Sequence, residues 1–140
     1  MAKAKARSRG LSSVAILQLS IGVFFVVLGI AGILPGAGEG IFGLSRNRTT
    51  LEIVFGVFEV LCGGFFLVDA VKRIPKKTSM IVILIILGLW IIRIIISEFV
   101  QGIELKSNGI LFNPNFWSWL LTLSIDLVVT SCLWFLYKAE

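Results

Sequence analysis

The sequence predicts an all-α integral membrane protein whose four transmembrane helices form an antiparallel bundle. Hydrophobic residues make up 57% of the chain, against roughly 45–50% in a soluble domain, and the mean hydropathy is +0.99. Each of four apolar runs is close to the ~20 residues that cross a bilayer. They lie at about 11–34, 50–71, 79–100 and 115–137. None has the polar outer face of a water-soluble bundle, so the 140 residues predict a single membrane domain.

The placement of lysine and arginine orients these helices, because the cytoplasmic flanks of transmembrane helices are enriched in both. Nine of them flank the runs on one side, in the arm 1–10, in the connection 72–77 and at Lys138. The opposite side has three. We therefore expect both termini in the cytoplasm, and the short loops favour a bacterial inner membrane. Since the basic residues are flanks of helices, they predict contact with the lipid bilayer and not with nucleic acid.

The first run follows a basic segment, as a secretory signal peptide does. Its apolar core is longer than the roughly 7–15 residues usual for a cleaved signal. We therefore expect the first run to be retained as a signal anchor and to count as a membrane helix.

The connections predict how the helices are joined. Pro75 is expected to end the second helix, and Thr78 or Ser79 to cap the third. Between the third and fourth runs, apolar and polar residues alternate up to Asn108-Gly109, a pair favoured in tight hairpin turns. We therefore expect a short β-hairpin on the outer face of the membrane.

The apolar runs contain five acidic residues and one arginine. Glu59, Arg93 and Asp126 fall near the middle of the membrane, where an ionised side chain costs roughly 2.5–3.5 kcal/mol on insertion scales. We expect Arg93 to be the common partner of both acids, in an intramembrane polar network. On the third run the inward-facing stripe is predicted to be Trp90, Arg93 and Ser97, at helical spacing.

The other acids lie nearer the membrane surfaces. Glu52 and Glu98 share one level toward the outer side and are included in the predicted polar network. Asp69 lies at the cytoplasmic end beside Lys72 and Arg73, where we expect water and lipid headgroups to reach it.

Small residues predict how the first two helices pack. Gly22 and Gly29 on the first run, and Gly56 and Gly63 on the second, would let two backbones approach closely. The segment 17–29 also aligns with 51–63 at an offset of 34 residues. Two interpretations are open: an inverted repeat, as in many transporters, or the chance recurrence of glycine in membrane helices.

The charges leave three interpretations of the network. Two acids and one arginine leave one negative charge, which a proton or cation, or a basic group of another chain, would neutralise. Alternatively, the charges only fix helix register.

The chain has no histidine, no phosphate-binding glycine motif and no Cys-x-x-Cys, so we expect no enzymatic activity, cofactor or metal. The favoured function is a non-enzymatic accessory or structural subunit of a larger membrane assembly. The alternative is a small homo-oligomeric transporter or channel that uses Glu59 and Asp126 as proton or cation sites.

Overall fold

The computed structural model describes residues 13–34, 49–112 and 115–139. The basic arm 1–10 and most of the glycine-rich loop after the first helix lie outside these residues. Within them the chain is mostly helical: α1 is Ser13–Ile33, α2 Thr49–Lys72, α3 Lys76–Ile94 and α4 Phe116–Ala139. A π-helix, Ile95–Gln101, continues α3. Four helices are long and apolar enough to cross a membrane, which confirms the predicted multi-pass helical character.

A small antiparallel sheet joins the π-helix to α4, as predicted. Its strands are β1, Ile103–Lys106, and β2, Gly109–Phe112. Lys106 pairs with Gly109, so the turn residues are Ser107 and Asn108, and not Asn108 and Gly109 as predicted. Gly109 is the first residue of β2, and its φ of +131° is one that other residues rarely adopt.

The connection between α2 and α3 differs from the prediction. Helix α3 begins at Lys76, earlier than predicted, and its N-cap position is Pro75, whose side chain cannot cap it. The backbone N–H groups of Thr78 and Ser79 donate to the Pro75 carbonyl. Neither Thr78 nor Ser79 is therefore the N-cap residue, because proline's fixed φ starts the helix ahead of them.

Helices α1 and α2 pack closely through their glycines. A Cβ atom placed on Gly29 would lie 2.5 Å from the carbonyl oxygen of Gly56, and one on Gly63 would lie 2.6 Å from that of Gly22. Because low-numbered residues of α1 meet high-numbered residues of α2, the two helices run antiparallel. The close approach replaces side-chain packing with backbone-to-backbone contact.

The contacts of this helix pair follow the 34-residue offset of the sequence. Gly29 meets Val60, and the equivalent Gly63 meets Val26. Likewise Gly22 meets Leu67, and Gly56 meets Ile33. Each contact has its counterpart at the same offset, so the two segments are related by an approximate two-fold axis. An antiparallel helix pair that meets at equally spaced glycines has this symmetry under either interpretation, an inverted repeat or the chance recurrence of glycine.

Aromatic and aliphatic side chains fill the interior between the glycine-packed pair and the other helices. The Phe25 ring stacks on Phe66 with centroids 6.2 Å apart, and it meets the Trp90 ring edge-on at 5.1 Å. Ile83 and Leu133 are fully buried in the same cluster. Helix α4 packs against both α1 and α3, which places Asp126 in the interior.

Candidate intramembrane polar site

Three helices bring Glu59, Arg93 and Asp126 together. Arg93 Nε lies 3.0 Å from Glu59 Oε1 of α2, and Arg93 Nη1 lies 3.4 Å from Asp126 Oδ1 of α4. All three residues are buried, with Asp126 at 0% exposure. One guanidinium on α3 therefore ties α2 and α4 to its own helix, an arrangement suited to the rigid fork of arginine donors.

Trp90 holds the arginine from the side. The Arg93 guanidinium carbon lies 4.6 Å from the centroid of the Trp90 ring, within the range of a cation–π interaction. The Trp90 indole N–H donates to the backbone carbonyl of Asp126 at 3.4 Å. Because Trp90 and Arg93 are three positions apart, one face of α3 carries both groups.

One carboxyl oxygen of the site lacks a described donor. Asp126 Oδ2 is buried and has no hydrogen-bond partner among the described residues. A buried acceptor without a donor is uncommon in folded proteins and calls for a physical explanation. The unmatched oxygen agrees with the charge count of two carboxylates and one guanidinium at this level.

A cleft between α2 and α3 reaches this site. Its enclosed space is small, with a volume of about 20 Å³, and both Glu59 and Arg93 line it. Phe55, Phe58 and Trp90 form aromatic walls. Phe58 is 49% exposed, so the cleft opens on the surface of the helix pair. Its lining is apolar except at the ion pair.

The π-helix places a further carboxyl in the interior. Glu98 is 3% exposed, and its Oε1 accepts a hydrogen bond of 3.2 Å from the Ser97 hydroxyl. The Glu98 backbone carbonyl accepts the Trp119 indole N–H at 3.0 Å. A π-helix has more residues per turn than an α-helix, so the residue that faces the interior is shifted along the sequence. Regular α-helical periodicity predicts that Ser97 is buried. In the structure Glu98 is buried and Ser97 is only partly buried.

Asp69 corrects the prediction that water and headgroups reach it. It is 3% exposed and joins three helix ends. Its Oδ2 accepts from Gln18 Nε2 of α1 at 3.0 Å and from the Ser79 hydroxyl of α3 at 2.9 Å. Its Oδ1 accepts from the backbone N–H of Ile74 at 2.9 Å. Burial of Asp69 depends on the neighbours that it meets and not only on its position along α2.

The remaining predicted residues fall into two groups. Gly22, Gly29, Gly56 and Gly63 form the α1–α2 contact and take no part in the polar site. The side chain of Glu52 lies outside the described residues.

Sequence reasoning missed Gln18 as a partner of Asp69. The sequence does contain an indication of this contact. Gln18 is an amide within an apolar run, and such a group needs a hydrogen-bond partner inside the membrane.

Within the described residues, no three cysteine, aspartate or glutamate side chains are grouped so that they could hold a metal ion. The chain matches no protein-family model, no curated protein and no solved structure. The geometry of its own intramembrane site is therefore the basis for a functional assignment.

Proposed function

We propose that this protein is a non-enzymatic accessory or structural subunit of a larger membrane assembly, in a bacterial inner membrane with both termini in the cytoplasm. The observation that carries the proposal is the acidic surplus of the Glu59–Arg93–Asp126 network beside an open cleft. An uncompensated carboxylate is costly in hydrocarbon. A neighbouring subunit can supply the missing positive charge.

The small extent of the outer structure also supports this proposal. Beyond the helices, the described chain has one short hairpin, whose Glu104 and Lys106 pair with each other at 3.5 Å. Many described apolar side chains face outward, among them Leu61 at 64% and Val128 at 62% exposure. These surfaces suit lipid or other membrane helices.

Native mass spectrometry of the protein, gently extracted from its source membrane, tests this proposal. We expect a defined complex with at least one other membrane protein. Recovery of the protein only as a monomer or homo-oligomer, under conditions that keep other membrane complexes intact, would contradict the proposal.

A second candidate function is a small homo-oligomeric transporter or channel with proton or cation sites at Glu59 and Asp126. The inverted relation of α1 and α2 favours it, because transporters are often built from inverted repeats. The packed interior argues against a path through one copy, since Phe25, Phe66 and Trp90 fill the space on the cytoplasmic side of the network.

Reconstituted flux separates the two functions. A transporter would show pH-dependent proton or cation flux in proteoliposomes that Glu59→Gln or Asp126→Asn abolishes. An accessory subunit would show flux no greater than protein-free vesicles.

A further inference from the structure

We propose that the cleft between α2 and α3 binds a transmembrane helix of a different protein, and that this helix places a lysine or arginine beside Glu59. The inference rests on the proposed function and names the chemistry of the partner. It depends on the charge of the site, on the lining of the cleft and on the fact that Arg93 is the one basic residue within the four apolar runs.

The charge of the site selects a basic ligand. Glu59 and Asp126 share one guanidinium, and Asp126 Oδ2 has no donor among the described residues. Glu98 adds another buried carboxyl on the π-helix, where it accepts a hydrogen bond from the Ser97 hydroxyl. A second cation would offset this surplus of carboxylates, and it would donate hydrogen bonds to Glu59, the carboxylate that lines the cleft.

The cleft has the lining that a long basic side chain needs. Phe55 and Phe58 on α2 face Leu89 and Trp90 on α3, and the charged groups lie among these apolar walls. The methylene stem of lysine or arginine packs on apolar surface while its charged end reaches a polar group. Aromatic faces also attract a desolvated cation.

The two flanking helices leave the cleft open toward the surrounding membrane at the level of Glu59. At their cytoplasmic ends α2 and α3 are joined by the Asp69–Ser79 hydrogen bond. At the level of the cleft they are bridged by the Arg93–Glu59 ion pair, and Phe58 remains half exposed. The opening is at membrane depth, so the ligand must itself lie in the membrane.

A second copy of this chain does not fit the cleft. Arg93 is the one basic residue within the four apolar runs, and it is 2% exposed and paired with its own acids. A lipid acyl chain has no charge, and lipid headgroups lie at the surface of the hydrocarbon core. A helix of a different protein is the remaining membrane component that can present a cation at this depth.

Binding of a defined peptide to the full-length protein in lipid nanodiscs tests the inference. The probe is a leucine- and alanine-rich transmembrane peptide of about 23 residues with one central lysine. Its partner probe is the same peptide with methionine at the central position. Energy transfer between labelled peptide and labelled protein gives the two affinities.

We expect the lysine peptide to bind about tenfold more tightly than the methionine peptide, as one interhelical polar contact would allow. Glu59→Gln should remove this preference. Glu104→Gln is the matched control, because it removes one carboxylate that is exposed and lies outside the membrane spans. It should leave the preference unchanged.

Phe58→Ala provides a second variant that does not alter the ion-pair network. Since Phe58 is half exposed, its loss should leave the fold intact and weaken binding of the lysine peptide. Equal affinities of the two peptides for the folded wild-type protein would overturn the inference. So would a preference for lysine that survives both Glu59→Gln and Phe58→Ala.

Failure of this inference is distinguishable from failure of the proposed function. A native complex with other membrane proteins, together with equal binding of the two peptides, would overturn the cleft as the docking site and leave the accessory role standing. A lysine preference that depends on Glu59 supports the cleft, even if no native complex were recovered.

Discussion

Arg93 has two acidic partners on two different helices, and this makes it the most consequential charged residue of the described structure. Removing one partner of a buried ion pair costs more than the pair itself contributes, because the remaining charge stays buried. Loss of the guanidinium would leave Glu59 and Asp126 without their shared cation.

We expect Arg93→Leu to lower the free energy of unfolding by about 3 kcal/mol, and Arg93→Lys to lower it by less. Lysine keeps the positive charge but loses the fork that reaches both carboxylates. Reversible unfolding in bicelles would measure both changes. Equal and mild effects of the two substitutions would contradict the role of Arg93 as common partner.

Asp69 yields a second prediction, at the end of the molecule that we expect to be cytoplasmic. Asp69→Asn would replace one carboxylate oxygen by an amide nitrogen, which cannot accept the hydrogen bonds now donated to that oxygen. We expect a loss of about 1–2 kcal/mol in the free energy of unfolding. Lys72→Ala, an exposed change one turn away, is the control and should change stability little. Equal effects of the two substitutions would contradict the role given to Asp69.

The sequence predicted the contacts of Arg93 correctly, because residues that lie at the same depth in different helices can meet. Glu59, Arg93 and Asp126 share one membrane level, and a long arginine side chain reaches across the interior from its own helix. The inference failed for Asp69, because depth along α2 does not reveal that Gln18 and Ser79 surround it.

The α1–α2 pair is the most closely packed element pair described here, and its stability depends on two glycine contacts. A Cβ on Gly63 would lie 2.6 Å from the Gly22 carbonyl oxygen, so the helices would have to move apart. At the neighbouring Gly64 a Cβ meets no atom within 4 Å. The adjacent glycines therefore provide a matched pair on one helix.

We expect Gly63→Ala to destabilise the protein and Gly64→Ala to be neutral or to stabilise it by up to about 1 kcal/mol, the usual gain in helix propensity. Gly29→Ala should resemble Gly63→Ala, because the two positions are equivalent at the 34-residue offset. Thermal unfolding in detergent compares the three variants. Loss of stability in Gly64→Ala equal to that in Gly63→Ala would refute the close contact.

For the helices and strands, the sequence predicted which elements exist better than it predicted the residues at which they begin and end. Long apolar runs fix the helices, and alternation of apolar and polar residues predicts the hairpin. The π-helix was not predicted, because an extra residue per turn leaves no mark in a 3.6-residue pattern. It matters for the site, since it buries Glu98 and not Ser97.

The whole molecule has basic residues concentrated at one end of its described helices. Lys72 and Lys76 flank the connection between α2 and α3, and Lys138 lies near the end of α4. The Gln18–Asp69–Ser79 hydrogen bonds place the beginning of α1 at the same end. By the positive-inside rule we expect this end to lie in the cytoplasm.

If both termini are cytoplasmic, as we propose, a fluorescent protein fused after residue 140 should fluoresce. Alkaline phosphatase inserted after Asn108, in the hairpin turn, should then be active, because the proposed orientation places that turn outside. The reverse pattern would contradict the orientation. Orientation depends on insertion during synthesis and not on helix packing, so the fold alone does not determine it.

The central claim is that the α2–α3 cleft docks a basic transmembrane helix of another protein. Photocrosslinking in the native membrane tests it most directly, with benzoylphenylalanine in place of Phe58 at the cleft or of Val128 on the exposed face of α4. We predict that position 58 crosslinks to a transmembrane segment containing lysine or arginine, and that position 128 does not. Crosslinks from position 58 to lipid alone, or to the same proteins as from position 128, would contradict the claim.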